Sequence, residues 1–171
     1  MITVTSVIGN IRSDKKLGDA YLTLGKEKKV ERILLPRMEA QRSRMRRSSD
    51  AGTDIAINLQ HGVILKHGDV LLIDENKLIV VEYLPEDVLG FKIKKELSSD
   101  EQVSAAVKLG HIIGNLHRSI FTIDNVTYMP IQSESEVANI RRNLAPIIAC
   151  IDIIHTKIIF ESEEGIEVHP H

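Results

Sequence analysis

Two patterns predict a mixed β and α+β protein. Up to about Val81 the 171-residue chain reads as many short strands at close spacing, which suits a small open barrel or sandwich. From Val88 the element order reads β-α-β-β-α-β, the split-βαβ or ferredoxin-like arrangement. The change falls at Pro85-Glu86. It makes 1–84 an N-terminal small β-barrel-like domain, 85–160 a C-terminal ferredoxin-like domain, and 161–171 a flexible tail carrying histidines.

In the first part, Ile2 to Ile8 alternates Val, Thr and Ile as a strand does, and Tyr21–Leu24 and Arg32–Leu35 are further strand candidates. Pro36 to Gln41 has room for one helical turn. Arg42–Ser48 and Thr53–Leu59 flank Asp50-Ala51-Gly52, a hairpin signal. His61-Gly62 and His67-Gly68-Asp69 mark turns and place both histidines at the surface. Val70–Ile73 and Leu78–Tyr83 then flank Asp74-Glu75-Asn76. Nothing in this part looks catalytic.

In the second part Val88–Lys94 is a strand. Ser98 with Glu101 three residues on is a capping box opening a helix that runs to about His117. Ser119–Asp124 and Val126–Ile131 pair across Asn125. Ser133 with Glu136 is a second capping box, and Val137, Ile140 and Leu144 keep helical spacing up to Pro146. Ile151–Ile159 is the last strand. After Phe160 the chain turns acidic and is expected to lose regular structure.

The first of these helices carries the chemistry. At about 100° per residue, Ala105, Leu109, Ile112, Ile113 and Leu116 form one apolar face. Ser104, Lys108, His111, Asn115 and Arg118 form a polar one. Val103, Val107, Gly110, Gly114 and His117 make a third stripe, small or β-branched, ending in an imidazole. A second non-polar stripe implies a second packing partner. If that partner is the same helix from another copy, a two-fold axis brings two His117 side chains together as half a metal site. A helix-capping histidine and tight packing inside one domain are the plainer readings, and the pattern alone leaves them open. The C-terminal His169-Pro170-His171, after Glu163, Glu164 and Glu167, has a composition suited to capturing a divalent metal, with a frayed terminus or a tag remnant as its plainer reading.

Composition excludes several classes. With a formal net charge of −2 and 43% hydrophobic residues, the chain has no global drive toward nucleic acid or membrane. No apolar run approaches about 18 residues and no secretory signal opens the chain, so a cytoplasmic protein is expected. The single Cys150 leaves no partner for an internal disulfide and reads as a buried small hydrophobe. Arg42, Arg44, Arg46 and Arg47 form the densest positive patch, suited to an acidic protein surface or phosphates, or else simply solvated. His111 lies about 120° around the helix from His117, too far for one ion. The face of His155 cannot be read. There is no Gly-rich phosphate loop and no Ser/His/Asp set with supporting context, so no enzyme is expected.

Taken together, certain residues resemble the UreE family, urease accessory proteins that act as nickel metallochaperones. They are Arg42-Ser43-Arg44 leading to Gly62-x-x-Leu65-x-x-Gly68-Asp69-x-Leu71, then Gly114-Asn115-x-His117, then Phe160-Glu161 with a histidine-bearing tail. The likeness covers nearly the whole length. It implies an N-terminal domain that engages partners or peptides on the urease side, and a ferredoxin-like domain that dimerises and binds metal. It implies Ni(II) as the cargo, with Zn(II) or Cu(II) able to substitute. His117 would be an interfacial ligand given by both subunits, and His169 and His171 the C-terminal histidines that complete or load the site. The implied partners are a second copy, the urease apoprotein and the other accessory proteins including the GTPase. Leu116 stands where many members have arginine, Ile112 where some have histidine, and a long polyhistidine tail is absent. High-capacity storage is therefore not implied. The competing reading is an RNA- or ribosome-assembly-associated binding module with no metal role, in which the arginines act and His117 is only a cap.

Overall fold

The computed structural model describes residues 1–161. Glu163, Glu164, Glu167, His169 and His171 lie outside the described residues. The chain divides between Leu84 and Pro85 into two compact units.

The first unit runs β1 (Ile2–Val4), β2 (Gly9–Asn10), α1 (Lys15–Lys26), β3 (Val30–Leu35), a 3-10 turn (Glu39–Gln41), β4 (Arg44–Ser48), β5 (Asp54–Asn58), β6 (Asp69–Ile73) and β7 (Leu78–Tyr83). Its strands form two sheets, ordered β1-β5-β4 and β2-β6-β7-β3. The expected strand at Tyr21–Leu24 is wrong, because those residues lie inside α1. The Asp14 carboxylate caps that helix, accepting from the Lys16 and Leu17 amides at 2.8 and 3.3 Å. Leu17, Ala20, Tyr21 and Leu24 then recur at helical spacing and pack with Val70, Leu78 and Val80 of the four-stranded sheet. On the opposite face of that sheet, Ile33, Leu35, Ile79 and Val81 are fully buried too.

The Gly68-Asp69 pair has a structural reason. Gly68 has φ of +87°, and a Cβ there would meet Asn10 and Ile11 within about 3 Å. Asp69 is buried and accepts hydrogen bonds from the Asn10 side-chain amide at 2.9 Å and the Lys66 amide at 2.7 Å. His67 is half-buried rather than a surface residue. Its Nδ1 accepts the Tyr83 amide at 3.0 Å, and its ring meets the Tyr83 ring edge-on.

Glu31 carries a pH dependence. Burial pushes its carboxyl up, but hydrogen bonds from Ser49, Thr53 and Lys77, with the Lys77 charge, outweigh this and hold it below the ordinary carboxylate range. A depressed folded value means stability that is present above the unfolded value, about 4.3, and is lost as pH falls through the folded one. Thermal unfolding from about pH 5 down to pH 3 should therefore show a smaller loss of midpoint in Glu31→Gln than in the wild type. Parallel curves would mean the cluster holds no ionised carboxylate.

The second unit runs β8 (Glu86–Ile93), α2 (Ser99–Asn115), β9 (Phe121–Ile123), β10 (Val126–Pro130), α3 (Glu134–Asn143), a 3-10 segment (Ala145–Cys150) and β11 (Ile151–Ile158). One antiparallel sheet has the order β11-β8-β10-β9. Leu89, Phe91, Met129 and Ile151 form a core with Leu109 and Ile113 of α2 and Val137 and Ile140 of α3. Asp124 and Asn125 both have positive φ, 51° and 61°, the requirement of a two-residue type I′ turn joining β9 to β10. Cys150 is half-buried.

Candidate functional site

α2 is built to present one side. The Ser98 and Glu101 capping box is complete. The Ser98 hydroxyl accepts the Glu101 amide, and the Glu101 carboxylate accepts the Ser98 amide at 2.8 Å. Ala105, Leu109 and Ile113 are its buried residues. Val103 and Val107 are 64% and 66% exposed, and Gly110 and Gly114 are exposed with them. A Cβ built on either glycine meets nothing within 4 Å. The small-residue stripe therefore lies on the outside of the unit.

His117 is not the last residue of that stripe. α2 ends at Asn115, with Leu116 as its cap, and His117 follows with φ of +50°. Its amide donates to the Gly114 carbonyl at 3.1 Å. This is the left-handed position after a helix, where glycine or asparagine is usual. The helical wheel cannot be carried to His117, because the backbone has already left the helix. Its side chain is exposed, just past the helix end. Arg118, next in sequence, pairs with Glu136 in the first turn of α3.

The other candidates separate. His111 is exposed, and its Nε2 lies 3.2 Å from the Asn115 amide nitrogen. It lines an open apolar groove of about 390 Å³ with Val107, Lys108, Ile112 and Pro146. His155 is exposed on β11, its Nε2 3.8 Å from Asp87, whose other oxygen is 3.5 Å from Lys157. Among the described residues no three His, Cys, Asp or Glu side chains gather into a metal cluster. The His117 imidazole by itself is a donor set that fits an ion only when further ligands come from elsewhere.

In the first unit, β4 is an edge strand of the three-stranded sheet. Arg46 makes a two-pronged bond to Asp54, at 2.8 and 2.9 Å, which holds the Asp54 carboxyl below its usual range. Arg47 pairs with Glu39. Arg42 precedes the strand, so only Arg44 and Arg46 share a strand face. Half of the arginine patch is thus committed to neighbours.

Residues 4–84 match the family described as UreE urease accessory protein, N-terminal domain. The urease accessory proteins UreE of Yersinia pestis (strain Pestoides F) and Yersinia pseudotuberculosis serotype O:1b (strain IP 31758) are 36% identical to this chain over 139 residues, 77% of it. The chain belongs to the UreE family. It spans 57% of the length of these curated relatives. UreE proteins are named for an accessory role, not for a catalytic one. Among the described residues of this UreE chain, no helix is long and apolar enough to cross a membrane.

Sequence reasoning missed two features of the site. The Arg118–Glu136 pair was hidden because Glu136 had an adequate local role as a capping partner. The contact between Phe121 and the fully buried Phe160, with ring centroids 6.1 Å apart, joins residues far apart in sequence. No periodicity could signal it.

Proposed function

We propose that this protein is a nickel-binding metallochaperone that delivers Ni(II) for assembly of the urease active site, acting in the cytoplasm as a homodimer. The observation that carries the reading is the exposed His117 just past the end of α2, beyond an exposed stripe with open space around a Cβ at both of its glycines. Two such helices related by a two-fold axis can approach closely and bring two imidazoles together. The β-α-β-β-α-β order and the sheet order β11-β8-β10-β9 support a ferredoxin-like reading of this unit.

His169 and His171 supply the remaining ligands. Phe160 anchors the chain against Phe121, four residues beyond His117. From Phe160 to His169, extended chain spans up to about 30 Å, enough to reach a site at the helix end. Ligands split between two chains and a terminal segment leave the ion open to approach, which suits transfer by ligand exchange. Nitrogen ligands alone favour Cu(II) and do not exclude Zn(II), so selectivity falls to geometry and to partners. The partners are the urease apoprotein and the other accessory proteins, including the GTPase, with the first unit as the engaging domain.

Equilibrium dialysis against nickel, beside salt-dependent binding to RNA, separates this reading from an RNA-associated module. Submicromolar nickel retention without RNA binding supports it. RNA binding without nickel overturns it. Gly114→Leu tests the interface. Within one chain a Cβ added at Gly114 meets nothing within 4 Å, so the added bulk is felt chiefly where a second helix approaches. Sedimentation should show more monomer. An unchanged dimer would remove the stripe from the interface.

A further inference from the structure

We infer that the Arg118–Glu136 ion pair is a positioning clasp that holds His117 in its left-handed conformation and so aims its imidazole; the inference rests on His117 being the metal ligand. A residue with a Cβ does not favour positive φ, and histidine at +50° must be held there by its surroundings. On its N-terminal side, the His117 amide is fixed by the Gly114 carbonyl at 3.1 Å. On its C-terminal side the next residue is Arg118, whose guanidinium reaches Glu136 on another element. Both side chains are about three-quarters buried, at 26% and 22% exposure. An ion pair in that setting is less screened and more geometrically defined than one on the open surface.

Glu136 departs from ordinary capping in a way that suits this role. The Ser133 hydroxyl accepts the Glu136 amide at 3.4 Å, the first half of a capping box. In the second half the glutamate would accept the Ser133 amide. Here Oε2 accepts the Gln132 amide at 2.7 Å instead, while Oε1 accepts from Arg118. One carboxylate thereby ties together the start of α3, the loop from β10 and the loop that leaves α2. A cap that served only α3 would have no need of Arg118.

Four variants and two readouts test the clasp. Glu136→Gln keeps an oxygen for the Gln132 amide but removes the charge. Arg118→Gln removes the other partner, the double variant removes both, and Arg118→Lys restores the charge. In metal-free protein the amide exchange of His117 should quicken about tenfold in each Gln variant, because its closed conformation opens more often. Nickel affinity measured by calorimetry should fall about five- to tenfold in the same variants. The double variant should be no worse than either single one, since the partners act as one unit. Arg118→Lys should recover most of both effects. Wild-type exchange at His117 in Glu136→Gln or Arg118→Gln overturns the clasp. Faster exchange with unaltered nickel affinity, where His117→Ala has lost its affinity, overturns its role in aiming the ligand. If His117→Ala itself keeps wild-type affinity, the metal reading fails by a separate route and the exchange rates alone decide the clasp.

Discussion

Replacing His117 with glycine should weaken nickel binding by about 100-fold or more, at least the loss seen when metal sites are perturbed at their ligands' supports, while making the protein more stable. In the proposed dimer one substitution deletes both interfacial imidazoles, so the partner subunit offers no His117 in its place. Stability moves the other way because the backbone at position 117 has φ of +50°. The left-handed region costs a residue with a Cβ about 1–2 kcal/mol, and glycine's extra unfolded-state freedom takes back about 0.5–1 kcal/mol. The net gain is about 0.5–1 kcal/mol, or about 2–8 °C for a unit of about 80 residues. The ring is exposed, so no core packing is lost. His117→Ala should lose the nickel without the gain in stability. Calorimetric titration and thermal unfolding of both variants read the two effects. Wild-type nickel affinity in either variant would remove His117 from the site. A lowered midpoint in the glycine variant would mean that the ring has a structural role.

Phe91→Ala should destabilise the second unit by about 3–5 kcal/mol, the usual cost of emptying a well-packed aromatic site. Phe91 is 1% exposed at the middle of β8, opposite Thr127 on one side and Ile153 on the other. It packs in the same core as Leu109 and Ile113, the residues that seat α2 on the sheet. The cavity would loosen the helix that carries the stripe and leads to His117. For a unit of about 80 residues such a loss lowers the unfolding midpoint by about 12 °C or more. Nickel binding should survive well below that temperature and vanish with the transition. A fall of less than 1 kcal/mol would show that the sheet and α2 are not coupled through this ring.

Local signals were legible where one physical rule acted alone. The box at Ser98 and Glu101 marked the start of α2, and Asn125 marked the turn between β9 and β10, because capping and positive-φ chemistry depend on a few neighbouring residues. α1 was misread over Tyr21–Leu24. The window Tyr-Leu-Thr-Leu alternates like a strand, and Gly18 and Gly25 weaken the helical pattern around it. Asp14 at the cap and Leu17, Tyr21 and Leu24 at helical spacing carried the better signal. Gly18 is there for packing, since a Cβ would lie 2.8 Å from the Ile11 carbonyl oxygen.

At the candidate site, the types of residue were legible and their placement was not. The sequence marks the glycine stripe and His117, but a helical wheel cannot register that the helix stops two residues before the histidine. His67 looked like a turn residue because its tie to Tyr83 is a long-range contact to a backbone amide. The Arg118–Glu136 pair and the Phe121–Phe160 contact depend on tertiary structure in the same way. Long-range pairing leaves no spacing to count.

In the proposed function one nickel ion is shared between two chains through His117. Native mass spectrometry of the wild-type protein titrated with nickel tests it most directly. A dimer should take up its first ion at a ratio of one nickel to two chains, and that species should be missing in His117→Ala. A monomer binding one ion per chain, or an identical first-ion species in His117→Ala, would contradict it.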